Sequence, residues 1–183
     1  MHESVCDLLL DLVQNSIEAK ASLIELSFDE DERQIAVTLR DNGCGMSKQE
    51  LERAKDPFYS DGTKHRQRKV GLGIPFLLQM VEQVDGTVEI VSEKGKGTCI
   101  SFVLPKDNID LPPIGALPAF LLPALTWSSE YEMVFRRSLK SGDDLHRYEI
   151  TRSELADALG DFRSASSLSL LRTFLISQED DRD

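Results

Sequence analysis

Asp41-Asn42-Gly43-Cys44-Gly45-Met46 places a carboxylate at the end of an alternating apolar run and follows it with two glycines one residue apart. Glycines in this position let the backbone turn with positive φ and come close to whatever lies beside it. Three further segments stand around this one in the chain. Upstream is Asp11-Leu12-Val13-Gln14-Asn15-Ser16-Ile17-Glu18-Ala19, and downstream come Gly71-Leu72-Gly73-Ile74 and then Gly95-Lys96-Gly97-Thr98. Each alone is a common turn or helix pattern. Their order and domain-scale spacing constrain the fold together.

Hydrophobic periodicity supplies the elements between them. Val5, Leu8, Leu9, Leu12, Val13 and Ile17 recur at helical spacing and predict an amphipathic helix over 4–20. Residues 23–28 and 35–39 alternate as strands around an acidic turn at 29–32. Ser47 followed by Glu50 is a capping box, so a short helix is expected over 48–55. Residues 56–70 lack periodicity and read as a loop. A helix is expected over 74–84, with Pro75 in its first turn, then strands over 87–92 and 98–104. This order predicts a sheet with helices on one face.

The style changes after residue 105. Pro112, Pro113, Pro118 and Pro123 punctuate an apolar stretch that reads as a packed connector over 106–128, because a solvated linker would be polar. Residues 129–183 predict a hairpin, 131–139 with 145–150, across Ser141-Gly142-Asp143-Asp144. A helix from a Thr151/Glu154 capping box to about 159 and a last helix over 167–177 follow. This appendage is a candidate partner-binding region, and the apolar segment 114–125 a candidate cover for a sheet edge or a dimer interface.

The four motifs together resemble the ATP-binding module shared by gyrase, Hsp90, histidine kinases and MutL, the GHKL superfamily, over roughly residues 4–105. The resemblance implies an α/β (α+β) two-layer sandwich of Bergerat type, a mixed sheet with helices on one face and an ATP lid. It implies ATP and Mg as ligands. Asn15 lies one turn after Asp11, so both share a helix face, and its carboxamide oxygen is a hard ligand suited to Mg²⁺; the resemblance assigns Asn15 to the metal. Asp11 falls where gyrase and MutL carry a water-activating glutamate, one methylene longer. By itself the pair also fits the polar side of an amphipathic helix.

Asp41 would accept a hydrogen bond from the exocyclic amine of adenine, a bond guanine's carbonyl cannot make. Gly43 and Gly45 would let the backbone approach the ring, with Met46 an apolar wall. Gly71-Leu72-Gly73 before a helix resembles the GLGL box of histidine kinases and suits phosphate at a helix N-terminus. Pro57-Phe58-Tyr59-Ser60-Asp61-Gly62-Thr63-Lys64 is similar to the kinase segment that starts the ATP lid, with Lys64 the expected phosphate contact. Thr98 is either an adenine-side hydrogen-bonding group beside Asp41 or an ordinary strand residue.

Charge and cysteines bound the remaining classes. The net charge of −11 argues against nucleic-acid binding, which needs a basic face. Cys6, Cys44 and Cys99 are scattered and without CxxC pairing, so reduced structural thiols are expected. No basic-then-apolar leader opens the chain and no apolar stretch is long enough to span a bilayer, which leads to the expectation of a soluble, cytoplasmic protein. The reaction stays open among three uses. One is a free-standing histidine-kinase-like protein acting on a partner or phosphoacceptor in trans. The others are an ATPase driving a dimer clamp, and a nucleotide-responsive binding module. Lys140, on the hairpin turn, is the candidate for the lysine that gyrase and MutL insert into their sites.

Overall fold

The computed structural model describes residues 4–57, 73–160, 162 and 164–180. In chain order the elements are α1 (Val5–Glu18), β1 (Leu23–Glu30), β2 (Gln34–Asp41), α2 (Lys48–Lys55), α3 (Gly73–Gln83), β3 (Thr87–Glu93) and β4 (Gly97–Pro105). After these come α4 (Leu117–Thr126), β5 (Glu132–Ser141), β6 (Asp144–Thr151), α5 (Arg152–Leu159) and α6 (Ala165–Asp180). The strands form one six-stranded mixed sheet in the order β3-β4-β2-β1-β5-β6.

Strand periodicity of two sends alternate side chains to one face. Ile24, Leu26 and Phe28 of β1, Ile35, Val37 and Leu39 of β2, Ile100, Phe102 and Leu104 of β4, and Met133 and Phe135 of β5 are all buried there. Helix α1 turns Leu8, Leu9, Leu12 and Val13 into the same core. Asp41 continues the buried β2 series two residues past Leu39, so the register that builds the core also carries this carboxylate inward. The opposite face is polar: Arg136 of β5 bridges Glu25 at 3.2 Å and Glu149 at 2.6 Å.

Local signals explain the helix ends. Ser4 caps α1 by accepting from Asp7 N–H. The Ser47–Glu50 capping box on α2 is present in full. The expected Thr151 cap on α5 is not: its side chain makes no capping bond, and Glu132 of β5 accepts from Ser153 N–H at 3.1 Å instead. The Glu132 carboxylate on β5 thus supplies the capping acceptor that was expected of the Thr151 hydroxyl.

Within 106–128, read from the sequence as a packed connector, the structure places a helix, α4. Pro118 sits in its first turn and Pro123 lies inside it. Burial of Leu117, Phe120, Leu121, Ala124 and Leu125 between α1 and α6 outweighs the hydrogen bond lost at Pro123. The apolar face read from the sequence is therefore covered within the chain. Arg152 secures the end of α4, donating to the carbonyls of Leu125 at 2.8 Å and Tyr131 at 2.9 Å. The hairpin β5–β6 does not stand apart: β5 runs parallel to β1 over the whole of β1, from Leu23↔Glu132 to Glu30↔Leu139.

A buried charge cluster closes the far end of β1. Arg137 is almost fully buried and donates to Glu30 at 2.5 Å, while Lys106 reaches the same carboxylate at 2.8 Å. Burial raises the Glu30 pKa, but hydrogen bonds from Lys106 and Arg137 outweigh it and hold the carboxyl below its usual range. Burial, aided by Asp7, pushes the Cys6 thiol up to about 12, leaving it an inert apolar group.

The capping box makes α2 pH-sensitive in a defined direction. The backbone N–H of Ser47, then its hydroxyl and the Lys94 ammonium, lower the Glu50 pKa from 4.5 to about 2. A folded pKa below the unfolded one gives stability that is complete above 4.5 and is lost as pH falls through about 2. The melting-temperature difference between wild type and Glu50→Gln is therefore expected at pH 5 and should vanish towards pH 2. A difference independent of pH would show that Glu50 acts through packing alone.

Candidate functional site

Three segments converge where β2 ends. Cys44 N–H donates to Ala19 O at the end of α1 (2.9 Å), and Cys44 O accepts from Gly95 N–H in the β3–β4 turn (2.7 Å). Asn42 fixes the start of β1, its Oδ1 accepting from the N–H groups of Ser22 and Leu23, each at 2.9 Å. Two glycines make the interlock possible. At Gly45, with φ of +59°, a Cβ would stand 2.0 Å from the carbonyl oxygen of Glu93. At Gly97, with φ of +99°, it would stand 2.0 Å from the carbonyl oxygen of Asp41.

These contacts enclose a cleft of about 200 Å³ lined by Leu12, Asn15, Ser16 and Ala19 of the first helical segment, Asp41, Cys44, Gly45 and Met46 of the glycine loop, and Ala54, Ile74, Thr98 and Ile100. Its walls are mainly apolar and its buried polar end is Asp41. Gly43 N–H donates to Asp41 Oδ1 at 2.8 Å, and the buried Ser16 hydroxyl donates to Asp41 Oδ2 at 2.9 Å. Two internal donors thus fix the carboxylate and leave further lone pairs for a ligand.

Of the residues singled out in the sequence, Asn15, Asp41, Gly45, Met46 and Thr98 line the cleft, and Gly43 supports Asp41 from behind. Asp11, Asn15 and Gly73 meet at one end. A methyl placed on Gly73, the first residue of α3, would lie 3.4 Å from Asn15 Nδ2 and 3.5 Å from Asp11 Cβ. Lys64, Gly71, Leu72 and most of the lid segment lie outside the described residues. Lys140 is far from the cleft: β5 runs parallel to β1, so its C-terminal end lies with the β1–β2 turn, and Lys140 borders Asp31, Glu32, Arg33 and Gly142.

Sequence reasoning missed Ser16, Ala54, Ile74 and Ile100. Ser16 carried a usable signal, since a small hydroxyl on the buried side of α1 needs a partner. Among the described residues no group of three or more His, Cys, Asp or Glu side chains is placed to hold a metal, and no helix is long and apolar enough to cross a membrane.

A two-layer α/β module with a mainly apolar cleft at a glycine loop is the class that fold and site define. The sequence profile of the histidine kinase-, DNA gyrase B- and HSP90-like ATPase family matches residues 2–108, and the chain belongs to this family. Sporulation kinase C of Bacillus subtilis is 32% identical over 98 residues, covering 52% of this chain and 22% of the kinase. Sensor histidine kinase YclK of the same organism is 32% identical over 108 residues, covering 57% and 23%. The chain thus spans under a quarter of these relatives' length. Among solved structures, the catalytic domain of histidine kinase ThkA aligns with a TM-score of 0.42 and 23% identity, over 54% of this chain and 64% of that one.

Proposed function

We propose that this protein binds Mg-ATP in the cleft and uses it to phosphorylate or regulate a partner protein in trans. The observation that carries the reading is the buried Asp41 carboxylate, held by Gly43 and Ser16 at the end of an apolar slot. The slot is smaller than the ~300–1,000 Å³ of typical ligand clefts. That size suits a flat base, with the rest of a nucleotide reaching past Asn15 towards the start of α3.

Each residue then has a role its chemistry supports. Asp41 accepts from the exocyclic amine of the base, while Met46, Ile74 and Ile100 cover its faces. The first turn of α3 at Gly73 offers amides to phosphate oxygens. Asn15 would hold Mg²⁺, a fit with a metal that takes few protein ligands and completes its shell with waters and phosphates. The metal would neutralise charge on the phosphates. Asp11, beside Asn15 on α1, would accept a proton from the attacking hydroxyl, of water or of a protein side chain.

The test is γ-labelled ATP incubated with Mg²⁺ and the protein, following bound label, free phosphate and labelled protein, with Asp11→Asn in parallel. The variant is expected to bind ATP as the wild type does and to lose turnover. Equal turnover would make Asp11 structural. Phosphate release that depends on Asp11 without any partner would favour the ATPase reading, and absence of ATP binding would overturn the proposal.

A further inference from the structure

The hydroxyl of Ser92, on β3 behind the cleft, has three polar neighbours. Met46 N–H donates to Ser92 Oγ at 2.8 Å. The carbonyl oxygen of Gly97 lies 3.1 Å away and the hydroxyl of Thr98 2.8 Å away. A hydroxyl has one proton and two lone pairs. The Gly97 carbonyl can only accept, and the Met46 amide can only donate. All three contacts are hydrogen bonds together in one arrangement alone: Ser92 gives its proton to Gly97 and accepts from both Met46 and Thr98.

That arrangement commits the Thr98 proton away from the cleft, so the cleft meets only lone pairs of Thr98. Thr98 stands directly opposite Asp41 in the β2–β4 register. Asp41, as a carboxylate, also presents only lone pairs. We infer that Ser92 is a positioning residue for base selection: it turns Thr98 into an acceptor, so the polar end of the cleft favours a base edge carrying an exocyclic amine and disfavours one carrying a carbonyl. This rests on the ATP-binding reading above. Ser92 does not itself line the cleft and acts through Thr98 and the Met46 amide.

The test is equilibrium binding of ATP and inosine triphosphate, whose 6-position carries a carbonyl, to the full chain as wild type, Ser92→Ala, Ser92→Thr and Thr98→Val. Thermal melting identifies the folded variants. Ser92→Ala frees the Thr98 proton to turn towards a carbonyl, so the ATP-over-inosine preference is expected to fall by roughly three- to tenfold. Ser92→Thr keeps the hydroxyl and should restore the preference. Thr98→Val removes an acceptor for the amine and a repulsion against the carbonyl, so it too should lower the preference, and it reads out the same polarity if Ser92→Ala does not fold. Equal weakening of both nucleotides in Ser92→Ala, or a Thr98→Val variant that discriminates better than wild type, would overturn the inference while leaving ATP binding intact. A wild type that binds neither nucleotide would overturn the underlying reading as well.

Discussion

Asp41→Asn is expected to weaken ATP binding by roughly ten- to a hundredfold, the worth of one hydrogen bond to a charged group, and to erase preference for ATP over GTP while the protein stays folded. The asymmetry of the two internal donors decides this. Gly43 N–H can only donate, so the remaining asparagine oxygen must stay on it. The new amide nitrogen then faces Ser16, whose hydroxyl can turn to accept and direct its own proton to Leu12 O, 3.4 Å away. The loop keeps its bonds, and the group facing the ligand changes from a lone pair to an N–H. An adenine amine then meets a donor, and the carbonyl of guanine meets a partner. Binding of both nucleotides, with melting temperatures alongside, checks the point. A retained preference for ATP would remove Asp41 from base recognition.

Gly97→Ala should be, with Gly45→Ala, among the most damaging single methyls in the site, destabilising the fold by on the order of 4 kcal/mol, the far end of the range for point substitutions. Its Cβ would meet the Asp41 carbonyl oxygen at 2.0 Å and Asn42 Cα at 2.8 Å, both backbone atoms that cannot rotate away, at a φ of +99°. Gly95 is the internal control. Its φ is +82°, yet a Cβ there meets nothing within 4 Å. Gly95→Ala should therefore cost only the left-handed backbone strain, about 1–2 kcal/mol. Denaturant unfolding of the two variants separates contact from conformation. Equal losses would mean that the approach of Gly97 to Asp41 does not hold the site together.

Features written into short windows were legible in the sequence. The apolar period of α1, the Ser47–Glu50 box and the alternation of β1 and β2 each announce an element through neighbours a few residues away, and the structure has all of them. Helix α4 was not legible, because apolar residues surround it on all sides and two prolines argue against it; its stability comes from α1 and α6, which no local window contains. Arg137 was hidden for a similar reason. In the alternation of β5 it takes an inward position, and its partner Glu30 lies on the neighbouring strand β1, over a hundred residues away in sequence. In the cleft, motif residues were visible by type and order, whereas the bonds of Ser16 and Ser92 to Asp41, Met46 and Thr98 appear only when the segments are brought together.

The parallel pairing of β1 with β5 also bears on how the chain reaches this structure. Arg137 of β5 and Phe28 of β1 are 109 residues apart in sequence, yet one donates to the other's carbonyl. A growing chain therefore releases β1 long before its neighbour exists. Until β5 arrives, one side of β1 presents a row of unpaired N–H and C=O groups, open to pairing with other chains. Closing so long a loop is entropically slow, which lengthens that exposure. The motifs of the cleft are complete well before that closure, so a nascent chain can carry every residue of the cleft while the middle of its sheet is still an open edge.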